Sequence, residues 1–319
     1  MVAPQFTLNT GAKIPALGLG TWQSPAGAVE KAVYHALTVT GLRHIDCAFA
    51  YGNEREVGAA LAQVFSEGKI KREDVFITTK LWSTWHNRAE ANIDESLKSL
   101  GLDYVDLYLM HWPVPMNANG NHPIMPTRPD GMRDLDEGWT WQQTWKAMEK
   151  LVEAGKAKAI GVSNFSEAYL KELLKDAKIV PAANQIENHP LLPQDGLVKF
   201  CQEHGILVTA YSPLGSTGGP LLADETVTKL AQKHGVSNGN VLINYQLKRG
   251  IAAIPKSVTP SRIDENAKTV DLTGEDIELL NGIHKAQGLK RFVSPPWPVN
   301  FLFSEANWGE NFKPLLSTA

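Results

Sequence analysis

The chain has almost no cysteine: Cys47 and Cys201 are the only two in 319 residues. A disulfide framework is excluded, and both thiols read as buried groups of a reducing compartment. No apolar run approaches the roughly 20 residues of a membrane span. No basic segment precedes an apolar stretch near Met1, so no secretory signal is visible and the cytoplasm is the expected location. Neither sign of charge dominates: 31 Lys and Arg stand against 34 Asp and Glu, a net charge of -3. The cations are scattered, which leaves no footprint for nucleic acid. No His or Cys spacing suggests a metal. His35, His204 and His234 read as helix-surface residues, and His86, His122 and His189 as loop residues without a partner. A G-x-G-x-x-G fingerprint after a strand is missing too, which counts against a dinucleotide in an open sheet but not in a barrel. These absences leave a small molecule as the expected partner, with no nucleic acid, membrane or obligate protein partner.

What is present is alternation. Phe6-Thr7-Leu8 and Lys13-Ile14, around a turn at Asn9-Thr10-Gly11, read as a hairpin suited to cap the bottom of a barrel. Short strands follow, rich in Val, Ile and Leu: 17–20, 43–46, 75–80, 105–110, 157–162, 183–186, 207–211 and 252–255. Helix-like stretches separate them, and the last helix is expected over 262–268. Strands apolar on both faces belong to a buried parallel sheet. Eight of them, polar groups at many strand ends and no composition break favour a closed (β/α)8 barrel over an open doubly wound sheet. The expectation is one α/β domain over 1–319, with an N-terminal β-hairpin cap and a long C-terminal loop. Two segments break the pattern. The Pro- and Asn-rich stretch 113–138 should rise from the catalytic rim as a functional loop. The tail 288–319, with Phe292, Trp297, Phe301, Phe303 and Trp308, should fold over the barrel. Either can line a substrate pocket.

Chemistry-bearing groups recur at strand C-termini, where such barrels keep their active sites. Asp46 ends one strand, with Tyr51 in the loop beyond. Lys80, His111 and Lys256 end three others. A free tyrosine has a pKa near 10 and is a weak acid at neutral pH. A lysine ammonium beside it favours the phenolate, and a carboxylate keeps that ammonium charged and oriented. Asp46, Tyr51 and Lys80 supply those parts, and His111 adds a donor for a carbonyl oxygen. Ser163, Asn164 and Gln185 also sit at strand ends and suit a carboxamide. Tyr211 offers a flat face for an aromatic ring. Lys256-Ser257-Val258-Thr259-Pro260-Ser261-Arg262 is a cationic loop feeding a helix N-terminus, a natural anion site. The 214–222 loop, through Ser216 and nearby N–H groups, suits a pyrophosphate. Trp22, Phe49, Trp82, Trp112 and Trp139 suggest an apolar wall beside His111.

Several motifs together resemble the aldo-keto reductase family. They are Gly18-Leu19-Gly20-Thr21-Trp22, the Asp46 to Asn53 segment, Thr79-Lys80-Leu81-Trp82 and His111-Trp112-Pro113. Gly161-Val162-Ser163-Asn164-Phe165, Gln185-Ile186-Glu187 and Ile254-Pro255-Lys256-Ser257 continue them in the family's order. The likeness is strongest to fungal and yeast NADP-dependent aldehyde reductases and glycerol dehydrogenases. It implies a catalytic tetrad of Asp46, Tyr51, Lys80 and His111, with Tyr51 the general acid. It implies NADP(H), with Thr21, Trp22, Asp46, Ser163, Asn164 and Gln185 toward the nicotinamide end. Tyr211, Ser212, Leu214 and Ser216 follow along the cofactor. Lys256, Ser257, Val258, Thr259 and Arg262 serve the 2′-phosphate, and Glu265 and Asn266 the adenine. The implied substrate pocket is Trp22, Phe49, Tyr51, Trp82, His111 and Trp112. The implied activity is reversible reduction of small aldoses, glyceraldehyde-like and aromatic aldehydes to primary alcohols. A pentose reductase usually carries Asn where Val258 stands and ranks second. A non-catalytic nucleotide-binding or structural member of the fold disagrees with a complete tetrad.

Overall fold

The computed structural model describes residues 4–216, 218–303 and 310–316. A short antiparallel hairpin, β1 (Gln5–Thr7) and β2 (Lys13–Pro15), comes first. Eight parallel strands then form one sheet in chain order. They are β3 (Leu19–Gly20), β4 (His44–Asp46), β5 (Phe76–Leu81), β6 (Val105–Met110), β7 (Ala157–Ser163), β8 (Ala183–Glu187), β9 (Leu207–Tyr211) and β10 (Ala252–Ala253). Parallel bridges Leu17–Ala253 and Gly20–Lys256 join the last strand to the first and close the barrel. The seam needs glycine: a Cβ on Gly20 would stand 2.8 Å from the Ile254 carbonyl oxygen.

Helices cover the outside: α1 (Val29–His35), α2 (Glu54–Ser66), α3 (Ala89–Leu100), α4 (Trp141–Glu153) and α5 (Glu167–Asp176). After them come α6 (Asp195–Glu203), α7 (Glu225–His234), α8 (Asn238–Lys248), α9 (Pro260–Asn266) and α10 (Gly274–Gln287). Local sequence starts them. Thr140 and Gln143 form a capping box on α4, and Ser166 and Ser237 cap α5 and α8. Helix α10 corrects the expectation that helices end near residue 268. Thr273 and Asp276 cap it reciprocally, at 3.2 and 2.9 Å, and Leu280 and Ile283 bury its inner face. Aspartate replaces the usual Glu or Gln of the box, which weakens the sequence signal. No helix among the described residues is long and apolar enough to cross a membrane.

The strand period of two decides what faces inward. On β6, Leu107 and Leu109 join the barrel-interior cluster with Phe76, Ala159 and Ala183, while Tyr108 and Met110 join the cluster under the helices. The hairpin's Leu8 and Ile14 belong to the interior cluster, so they plug the N-terminal end. The same parity on β5 puts Phe76, Thr78 and Lys80 on one face, and on β8 Ala183, Gln185 and Glu187. Climbing each strand, inward positions thus pass from apolar to polar and charged. The segment 113–138 is ordered by its own turns: Asn117 and Asp134 pair through backbone and side chain at 3.0 and 2.9 Å. The tail folds over the barrel, with Trp297, Val299, Phe301 and Phe303 buried. Trp297 and Phe301 pack on Trp112 at 5.6 and 5.7 Å. Trp308 lies outside the described residues.

Candidate active site

Asp46, the last residue of β4, is held on both oxygens. Its Oδ1 accepts from Lys80 Nζ at 2.6 Å and its Oδ2 from Gln185 Nε2 at 2.8 Å. Lys80 also donates to the Cys47 carbonyl at 2.8 Å and to the Tyr51 hydroxyl at 3.1 Å. The ammonium is wholly buried, so each of these contacts replaces water that it has lost. Tyr51 ends a single 3-10 turn, Phe49–Tyr51, closed by Gly52 at φ 70°. That turn swings the phenol back over the strand ends. The His111 ring lies edge-on to Tyr51 at 5.7 Å and to Trp82 at 5.1 Å.

Electrostatics separate the roles of these groups. Burial alone would depress Lys80, but Asp46 and Tyr51 outweigh it and raise its pKa, so the amine stays charged. Burial, reinforced by the Lys80 charge, holds His111 well below the usual histidine range. It is a neutral donor, and its Nδ1 has no hydrogen-bond partner among the described residues. For Tyr51 the expected shift is overturned in sign. Lys80 does pull the phenol toward ionisation, but burial pushes harder and takes it up to about 12. Tyr51 therefore carries its proton throughout the physiological range, as a proton donor must.

Asp46, Gln185, Tyr51, Trp82 and His111 line one cavity of about 490 Å³, and the buried Lys80 stands behind that lining. Trp22, Trp82 and Trp112 line it together with Tyr51 and His111, and Lys256 and Arg262 line it too. Thr21, Asn164, Gln185, Tyr211, Leu214 and Ser216 belong to the same lining. The backbone here is strained: Gln23, Asn164, Ser212 and Ser216 all hold left-handed φ, between 49° and 63°. Such strain costs of order 1–3 kcal/mol per residue and concentrates at functional sites. Asn164 is locked in place, donating to the His111 carbonyl and Ser163 Oγ and accepting from Tyr211 OH at 2.8 Å. Its NH2 is fully used, so a carboxamide ligand meets its Oδ1, or Gln185, rather than its donors.

Other expected residues lie elsewhere. Phe49 is not a wall of this cavity; its ring packs edge-on against Trp85 at 5.3 Å. Trp139 is not one either. It lines a separate hollow beside Trp141 and Trp145, and its Nε1 donates to Thr144. Ser163 lies beneath the lining, its hydroxyl donating to the Gln185 carbonyl at 2.8 Å. Ser257 accepts from the Thr259 N–H, and Val258 packs on the core. Glu265 pairs with Lys268, and Asn266 ends α9 near Leu214 and Leu222. The loop histidines do have partners: His86 with Thr144, His189 with Glu187, and His122 Nδ1 with two backbone N–H groups. His35 and His234 pair with Asp264 and Asp276. Sequence reading missed Met125, Val293, Pro295 and Leu222, all of which line the cavity. The segments that carry them, 113–138, 214–222 and 288–319, were visible, but loops have no period to betray which side chain turns inward.

The cavity's donor set suits a phosphorylated dinucleotide: two cations, two amides, an aromatic face and a half-buried phenol share one lining. Residues 16–285 match the model of the aldo/keto reductase family. D-galacturonate reductase of Hypocrea jecorina is 52% identical, over 96% of this chain and 99% of that protein. Glycerol 2-dehydrogenase (NADP(+)) of Saccharomyces cerevisiae is 49% identical, over 92% and 94%. The aldose reductase structure from Schistosoma japonicum superposes with a TM-score of 0.85 at 41% identity, covering 91% of this chain and 94% of that one.

Proposed function

The chain belongs to the aldo/keto reductase family, and on that premise we propose that it reduces aldehydes to primary alcohols with NADPH, reversibly. The observation that carries this reading is the relay from buried Asp46 and Lys80 to half-buried Tyr51, with contacts of 2.6 and 3.1 Å, Tyr51 lining the cavity. When bound, the nicotinamide supplies hydride to the carbonyl carbon. Tyr51 OH donates the proton to the oxygen as negative charge builds there. The Lys80 ammonium, 3.1 Å away, stabilises the phenolate left behind. Asp46 keeps that ammonium aimed, and Gln185 fixes Asp46. Neutral His111 donates a second hydrogen bond to the same oxygen and orients it. Trp22, Trp82 and Trp112 exclude water and favour small, partly apolar substrates such as glyceraldehyde-like and aromatic aldehydes. Lys256 and Arg262 grip the 2′-phosphate and give the preference for NADP(H). The names of the relatives, reductases and an NADP-dependent dehydrogenase, support the same reading.

The test is direct. Purified protein is mixed with NADPH or NADH and with glyceraldehyde or a nitrobenzaldehyde, and cofactor absorbance is followed. Oxidation of NADPH by the aldehydes, well ahead of NADH, is expected. No oxidation with any aldehyde, or a preference for NADH, contradicts the proposal.

A further inference from the structure

Glu187 ends β8, two residues beyond Gln185 on the same face, and is completely buried. A carboxylate there needs partners, and it finds them far along the chain. Its Oε1 accepts from the Phe292 N–H at 2.7 Å and faces His189 Nε2 at 2.9 Å. Its Oε2 accepts from the Val293 N–H at 2.9 Å. Two consecutive backbone donors of the tail are thus seated on one carboxylate, and charge-assisted hydrogen bonds of this kind are the strong ones. Burial works against the charge, but His189 and the Phe292 N–H hold the carboxyl below its ordinary range. The ring of Phe292 lies tilted against that of His189, 5.1 Å between centroids, and the Arg291 guanidinium lies over Phe303 at 4.3 Å. Val293, the second clamped residue, and Pro295, two positions beyond it, line the same cavity as Tyr51 and Trp22.

We propose that Glu187 is a positioning residue: its carboxylate clamps the Phe292 and Val293 N–H groups and so sets the tail wall that selects substrate. Glu187 touches no reacting atom. It acts through the placement of Val293 and Pro295, and the selectivity part of the inference rests on the aldehyde-reductase reading above. Loosening the clamp widens the cavity, so compact aldehydes lose their contacts while bulkier ones lose less.

The experiment uses the full chain with Glu187→Gln, which keeps the shape but offers one acceptor oxygen and turns an NH2 toward an N–H group. Hydrogen exchange of the peptide over 289–297 is expected to speed up by about tenfold or more, with the strand peptides unchanged. KM for glyceraldehyde should rise by about fivefold relative to KM for a bulky aromatic aldehyde, with kcat and NADPH affinity within about twofold of the parent. Unchanged exchange in the tail overturns the clamp. Faster exchange with an unchanged ratio of KM values overturns its role in selection. If Glu187→Gln does not accumulate folded, Phe292→Pro removes one clamped N–H and leaves the carboxylate in place; the same outcomes decide. A parent protein that oxidises NADPH with no aldehyde sinks the proposed function, while the exchange comparison still judges the clamp.

Discussion

The two ends of one barrel are built by opposite rules from the same strands. At the N-terminal end, Leu107, Ala159 and Ala183 meet Leu8 and Ile14 of the hairpin in a closed apolar cluster. At the C-terminal end, two or four residues further along, the inward positions are Lys80, Gln185 and Glu187, all buried. Apolar burial stabilises by area, about 25 cal/mol per Å². A buried charge stabilises nothing by itself and persists only while its partners stay in place. The difference teaches where this molecule keeps its rigidity and where it keeps its chemistry. The plugged end supplies the stability that lets the open end hold a wholly buried ammonium and four strained residues.

That contrast can be broken from either side. The largest effect is expected from Lys80→Met, which leaves Asp46 buried without its partner. Stability should fall by about 3–5 kcal/mol, and turnover by about 10³-fold or more. Adding Asp46→Asn should recover most of the stability in a denaturant titration and none of the activity; recovery of both would mean the pair is structural only. Next is Leu107→Ala at the closed end, expected to cost about 2–5 kcal/mol with KM values unchanged. A large change in KM there would show that the two ends are not separable. Smaller is the loss at the cofactor end. Lys256→Ala and Arg262→Ala should each weaken NADPH binding by about tenfold while leaving NADH binding alone. Equal losses for both cofactors would remove these cations from the phosphate. The smallest effect concerns pH. With His111 held neutral and Tyr51 held protonated by burial, neither titrates near neutrality. Reduction should vary by less than about twofold between about pH 6 and 7.5. It should decline only in alkali, as Tyr51 loses its proton; an inflection near the ordinary histidine value would put charge on His111.

The barrel and its reacting groups were legible because strands carry their own ruler. Apolar runs mark the strands, and a polar residue closing each run marks the rim, which placed Asp46, Lys80 and His111 together. The wall of the cavity was not legible, for a physical reason. Met125, Val293 and Pro295 reach it from irregular segments whose path is set by distant contacts. Glu187 and Phe292, for example, are separated by 105 residues in sequence. Phe49 and Trp139 mislead in the opposite way: an aromatic side chain in a loop can turn to either side, and here both turn away from the cavity. The sign of the Tyr51 shift was missed because the pull of Lys80 is visible from residue order, whereas the depth of burial that outweighs it is not.

The proposed reduction is completed by a proton from Tyr51, backed by Lys80 and Asp46. The decisive variant is Tyr51→Phe, with NADPH binding and aldehyde turnover measured on the same preparation. NADPH affinity should stay within about twofold of the parent while turnover falls by about 10³-fold or more. A variant that binds NADPH and keeps most of its kcat would show that the proton comes from another group.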